Sequence, residues 1–121
     1  MIRQQVMTTL TNRFPKTDIM FFAVIGPNKE TYGEKATHSV AQARWAQAEE
    51  RISYITNHIA YAKAHNIPVI NAYQESLNAQ GDGQTIYINP DDNIHPSAEG
   101  LAFMARIMTK RIQEENIFPK P

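Results

Sequence analysis

The residues best suited to chemistry lie in Asp91-Asp92-Asn93-Ile94-His95-Pro96-Ser97-Ala98-Glu99-Gly100, where an acid and an imidazole are three positions apart just before a helical pattern. A carboxylate at Asp92 can accept the Nδ1 proton of His95, which leaves the Nε2 lone pair directed outward to take a proton from a nucleophile or a water. That pairing supplies the orienting acid and the general base of a hydrolytic triad. The third member is harder to place, because the only serines are Ser39, Ser53, Ser76 and Ser97. Ser39 stands at a helix-capping position, Ser53 inside a long helical pattern, and Ser97 two residues past His95 at the entry of a helix, where close neighbours in sequence do not face one another. Ser76 follows a strand without the sharp strand-turn-helix setting that presents a nucleophile. None of the four is expected to serve His95 within one chain. The structural alternatives are a turn-forming aspartate at Asp92 and a surface histidine near a helix start at His95.

The elements around this block read clearly in outline. Ile2, Val6 and Leu10 recur every four residues, and Phe14-Pro15 stops that pattern near Arg13, so a short amphipathic helix is expected first. Ile19 to Ile25 is an unbroken apolar run of the kind found in a strand covered on both faces. The polar stretch from Pro27 to His38 then forms a loop leaving that strand's C-terminal end, a common border for active sites. Trp45, Ala48, Ile52, Ile55, Ile59 and Ala62 make one apolar stripe at spacings of three and four, which predicts a helix over 40–65. Ser39 with Gln42 matches a capping box for its start, and Asn66 marks its end. Ile67 to Tyr73 gives a second strand, with Pro68 tolerated near its beginning. Strand, long helix, strand is a parallel βαβ crossover.

Farther along, Gln74 to Gly83 is polar and turn-rich, and Gly81-Asp82-Gly83 is turn chemistry. Thr85 to Ile88 reads as a short extended piece. The last helix is expected over about 97–115, with Leu101, Ala105, Met108 and Ile112 inward and Arg106, Lys110 and Gln113 outward. Phe118 to Pro121 forms a tail. Gly26-Pro27-Asn28 sits at a strand end where ligands often bind but is no phosphate loop, and His58 and His65 lack a third ligand, so neither a cofactor nor a metal is expected.

Composition narrows the function classes. With 121 residues, the chain fits one domain over 1–121, and 12 Lys plus Arg balance 12 Asp plus Glu. That balance provides no basic field for nucleic acid or anionic lipid. There is no cysteine for a disulfide or thiolate site, no apolar run long enough to span a membrane, and no signal-peptide core at Met1 to Val6. A soluble cytoplasmic product is the expectation.

The order of apolar strand, long helix, Ile67-Pro68-Val69-Ile70-Asn71-Ala72-Tyr73, and Asp92-x-x-His95-Pro96-Ser97-x-x-Gly100 opening a C-terminal helix resembles the last part of SGNH (GDSL-type) hydrolases. The likeness spans nearly the whole chain, and the Asp92 to Gly100 block is its specific portion. It implies an α/β fold with a short parallel sheet in a three-layer α/β/α arrangement, a truncated SGNH or flavodoxin-like architecture. It also implies Asp92 as orienter, His95 as general base, and a small-molecule carboxylic ester, thioester or carbohydrate acetyl group as substrate. The family's nucleophilic serine and its glycine and asparagine oxyanion donors have no counterpart here, and on this likeness their segments would precede Met1. An inner strand left at a sheet edge exposes unpaired backbone groups, so a homo-oligomer is expected. Two alternatives stay beside the hydrolase: a non-catalytic fragment or binding module with an idle dyad, and an unrelated flavodoxin-like binder lacking an Asp92–His95 hydrogen bond.

Overall fold

The structure, a computed structural model, describes residues 2–117. Its elements run α1 (Ile2–Arg13), β1 (Phe21–Ala23), α2 (Ala41–Ala64), β2 (Val69–Asn71), α3 (Ala72–Glu75), a 3-10 turn (Thr85–Tyr87) and α4 (Ala98–Glu114). β1 and β2 form a two-stranded parallel sheet in the register Phe21 to Val69, Phe22 to Ile70 and Ala23 to Asn71. A parallel pair cannot be joined by a tight turn, and α2 is the crossover that returns the chain to the same end. The chain is thus mixed α/β, as the alternation of patterns implies.

Side-chain alternation along the short strands divides the core. Ala23 packs with Ile55 and Ile59 of α2 and with Tyr73, and Val24, Ile52, Val69 and Leu77 extend that cluster. Ile70 packs with Ala72 and with Ile107 of α4, joined by Met20, Phe22, Phe103 and Met104. Phe22 and Ile70, paired in register, therefore belong with α4, whereas Ala23 belongs with α2. Helix α2 ends where its sequence predicts: Asn66 takes a left-handed φ of 54° just past the His65 cap, a conformation that asparagine tolerates better than most residues.

Several local expectations change. The strands are shorter than the apolar runs around them. Ala72 and Tyr73 leave the second strand for α3, because Asn71 caps that turn by accepting the Gln74 N–H at 2.9 Å. The Ser39–Gln42 capping box does not form. Val40 is the cap residue without a side-chain bond, and Arg44 instead donates to the Ser39 carbonyl at 2.6 Å. Trp45 is exposed rather than inward, and the Lys29 ammonium lies 4.9 Å from its ring centroid. Thr85 to Tyr87 is a 3-10 turn; only Ile88 makes an extended contact, bridging antiparallel to Pro96.

The inward face of α4 is also rotated from the expected one. Gly100, Phe103, Met104 and Ile107 face the sheet or the 3-10 turn, with Phe103 stacked on Tyr87, while Leu101 is 59% exposed and Ala105 and Met108 lie outside. Gly100 decides this, because a Cβ on it would come within 2.2 Å of the Tyr87 carbonyl oxygen, so the helix approaches along its glycine. Helix α1 forms over its expected span yet buries none of its residues. The expected Phe118–Pro121 tail lies outside the described residues. No helix among the described residues is long and apolar enough to cross a membrane.

Burial ranks the contribution of individual side chains. Ile70 is wholly enclosed between β1 and α4, so Ile70→Ala should cost roughly 2–5 kcal/mol through lost transfer energy and an unfilled cavity. Leu101→Ala should change stability by no more than about 0.5 kcal/mol. Urea unfolding of the two variants against the parent checks the ranking; equal losses would contradict the rotated α4 face.

Candidate active site

The dyad is held in a loop closed at both ends by backbone bonds. The Asn89 N–H donates to the His95 carbonyl at 2.7 Å, and the Asn93 N–H returns to the Asn89 carbonyl at 2.8 Å. The Asn89 side chain also accepts from the Asp91 N–H at 2.9 Å, an Asx turn that starts the reversal. Asn93 completes it with a left-handed φ of 57°. The chain leaves the loop through Ser97, whose N–H donates to the Tyr87 carbonyl at 3.0 Å and whose hydroxyl donates to the Ile86 carbonyl at 2.7 Å. The same oxygen accepts from the Gly100 N–H at 3.0 Å and so caps α4.

Within this loop one carboxylate organises the residues that follow it. Asp92 Oδ1 accepts from the Ile94 N–H at 2.8 Å and from the His95 N–H at 3.1 Å, while Oδ2 lies 2.5 Å from His95 Nδ1. With Nδ1 committed to the carboxylate, the Nε2 nitrogen is the one left for chemistry. The His95 side chain is 74% exposed and that of Asp92 27%, so the imidazole is open to solvent and the carboxylate is half-shielded. Donation from the Ile94 N–H, then from the His95 ring, then from the His95 N–H, holds the Asp92 carboxyl at about 2, below its ordinary value of 3.8. It is therefore ionised wherever the imidazole can act as a base.

Neighbouring elements secure the loop from outside. The Gly33 N–H donates to the Asn93 carbonyl at 3.3 Å, and the Lys35 ammonium donates to the Pro90 carbonyl at 2.9 Å, so the segment after β1 rests on the dyad loop. From α2, the Arg51 guanidinium reaches the Ile94 carbonyl at 3.5 Å. Asn89, Lys35 and Arg51 are positioning residues that the sequence pattern did not single out. Asn89-Pro90-Asp91 does carry a recognisable turn signal, but nothing local predicts the reach of Lys35 or Arg51, which span 55 and 43 residues.

The serines do not complete a triad with this pair. Ser76 is fully buried, accepting from the Gly26 N–H at 2.8 Å and donating to the Tyr73 carbonyl at 2.7 Å, so its hydroxyl ties β1's exit to α3. Ser97 spends its hydroxyl on the helix cap. Ser53 is exposed in the middle of α2, and the Ser39 carbonyl is bound by Arg44. His58 lies edge-on to Phe21 and His65 stacks on Tyr61 with Nδ1 at the Tyr61 carbonyl, so both have packing roles. Among the described residues no three His, Cys, Asp or Glu side chains could gather a metal ion.

The strand end at Gly26-Pro27-Asn28 is closed by its own chain. The Gly83 N–H donates to the Pro27 carbonyl at 3.1 Å, and Asn28 returns an amide bond to the Gly83 carbonyl at 3.0 Å. A Cβ on Gly83 would collide with the Gly26 carbonyl oxygen, so the Gly81-Asp82-Gly83 turn is a close backbone seal as well as a turn. Asp82 reinforces it by accepting from the Lys29 N–H. The Asp92–His95 bond is the feature that a flavodoxin-like binder would lack.

Comparison of the chain with protein-family models, with curated proteins and with solved structures finds no match.

The lowered pKa of Asp92 has a direct consequence for stability. Because the folded carboxyl titrates below its unfolded value, its contribution is fully present above about pH 4 and is lost as the pH falls through about 2. Slow exchange of the Ile94 and His95 amide protons should persist from neutral pH to below pH 4 and disappear nearer pH 2. In Asp92→Ala that protection should be absent at neutral pH. Hydrogen exchange followed by NMR provides the readout, and equal protection in the two proteins would exclude the clamp.

Proposed function

We propose that the protein is a hydrolase of carboxylic esters of SGNH type, with Asp92 as orienter and His95 as general base. The single observation that carries this reading is the 2.5 Å contact of Asp92 Oδ2 with His95 Nδ1, which leaves Nε2 on an exposed ring. The Asp-x-x-His-Pro-Ser-x-x-Gly order and the strand, helix, strand frame support the same assignment. So does the way α2 and α4 meet the sheet through Ala23 and Ile70, an arrangement compatible with three α/β/α layers.

With no serine placed on Nε2, the step available to this chain uses water. Nε2 takes a proton from a water whose oxygen attacks the ester carbonyl; the tetrahedral intermediate collapses, the C–O bond to the leaving alcohol breaks, and the imidazolium returns the proton to that alcohol. Each oxyanion donor a site lacks costs on the order of a hundredfold in rate. Activated aryl esters of short acids are accordingly the substrates to expect. A second reading is favoured by the bonds that occupy Ser76 and Ser97: a non-catalytic α/β fragment or binding module in which the dyad is idle.

Three variants separate the readings. Turnover of 4-nitrophenyl acetate should fall about a hundredfold or more in His95→Ala. In Asp92→Asn, Oδ1 can still accept the two N–H groups, but an amide facing Nδ1 reverses the ring tautomer, so turnover should fall with little change in fold. Ser76→Ala should keep His95-dependent turnover once corrected for its stability loss. Fluorophosphonate labelling with peptide mapping should leave all four serines unmodified. Full turnover in His95→Ala would sink the hydrolase reading, and a labelled serine would replace the water.

A further inference from the structure

Arg51 carries a charge on the inward stripe of α2. It stands between Ala48 and Ile55, three residues after one and four before the other, so it shares the face that they bury. Phe21 stacks on Tyr61 while Ala23 packs with Ile55, so α2 runs back along β1 and Arg51, one turn before Ile55, lies past the C-terminal end of that strand. Ligands of open parallel sheets bind at that end.

Among the described residues nothing neutralises this half-buried guanidinium. No ion pair includes Arg51, and Glu49 and Glu50, its neighbours in sequence, are exposed, with Glu50 accepting from the Tyr54 hydroxyl instead. Its bond to the rest of the protein is the 3.5 Å contact of Nη1 with the Ile94 carbonyl, at the long limit for a hydrogen bond. Nε and Nη2 have no partner there, and unlike Nε of Arg3 and of Arg44 they are not sealed from solvent. A ligand can reach them. The Ile94 carbonyl belongs to the peptide that carries the His95 N–H, so Arg51 Nη1 lies within roughly 6–7 Å of the His95 Cα.

We propose that Arg51 binds a carboxylate carried by the substrate, so that the esters cleaved at His95 are monoanions with a carboxylate on the part that lies toward α2. Holding a half-buried cation without a counter-ion costs stability, and a guanidinium fork offers a planar carboxylate two parallel hydrogen bonds. The other charged groups of the dyad loop and of the segment resting on it, Asp91, Glu34 and Lys35, are exposed and screened by solvent. Ionised Asp92 on the same loop disfavours a second negative charge on the ligand, which selects a carboxylate over a phosphate dianion. The substrate class rests on the ester-hydrolase reading, whereas the carboxylate site does not.

Binding and turnover on the full chain test the two separately. Benzoate titrated into the protein should shift the His95 ring and Arg51 Nε–H signals saturably in NMR spectra, and the neutral control benzamide should not. Arg51→Met should raise the benzoate dissociation constant about tenfold. For turnover, kcat/KM is compared between 4-acetoxybenzoate and 4-acetoxybenzamide, which differ in charge at one end. The parent should favour the carboxylate ester about tenfold; Arg51→Met should abolish the preference and Arg51→Lys should keep part of it. A tether acting only on the Ile94 carbonyl would lower both rates and leave their ratio unchanged, which would overturn the substrate class. Equal shifts by benzoate and benzamide, or benzoate binding unaltered in Arg51→Met, would overturn the site, and tighter binding of inorganic phosphate would overturn its preference for a carboxylate. If neither ester turns over in a His95-dependent way, the hydrolase reading and the substrate class fall together, while the benzoate titration still decides the site.

Discussion

The parallel pairing of β1 with β2 is the constraint on which the rest of the molecule depends. Two parallel strands need a crossover long enough to return the chain, which α2 provides, and the pairing brings the segments leaving both strands to the same end. From that end one segment, through Gly33 and Lys35, and α2, through Arg51, reach the loop that holds Asp92 and His95. The dyad is a local structure, but its placement follows from the strand pair.

Local and long-range forces divide the work at the site. Asp92 uses one oxygen for two backbone N–H groups and the other for the imidazole, so the conformation of the loop and the orientation of the ring are set by a single carboxylate. Its lowered pKa is the electrostatic result of that geometry. Gly100 and Ser97 then attach the loop to α4 at a distance that a larger residue at 100 would prevent. The polar network is thus continuous from the Asx turn at Asn89 to the first turn of the helix. The two buried serines, Ser76 and Ser97, are committed to structure: each hydroxyl both donates to and accepts from the backbone.

Much of the candidate site was legible because it is short in sequence. Asp92 and His95 are three residues apart, and the distance between them depends on a turn whose residues are consecutive. The long helix was legible for a related reason: Ala48, Ile55, Ile59 and Ala62 repeat at helical spacing and are all buried, and Asn66 ends them with a left-handed turn. Elsewhere the same reasoning failed where two apolar stripes lie side by side on one helix. In α4, Leu101, Ala105 and Met108 form as good a stripe as Phe103, Met104 and Ile107, and only the close approach of Gly100 to Tyr87 chooses between them. The Ser39–Gln42 pattern failed because the helix begins one residue later, with Val40 rather than Ser39 in the cap position.

By itself, the sequence determined that the chain is mixed α/β, that a long helix joins two parallel strands, and that an acid and a base stand together before the last helix. These are properties of spacing and local turn chemistry, decided within a few residues of one another. Only the tertiary structure decided how long the strands are, which face of α4 is buried, which side chains steady the dyad loop and how the serine hydroxyls are used. Those outcomes depend on groups separated by tens of residues, where close packing and the satisfaction of buried polar atoms, rather than local preference, select the arrangement.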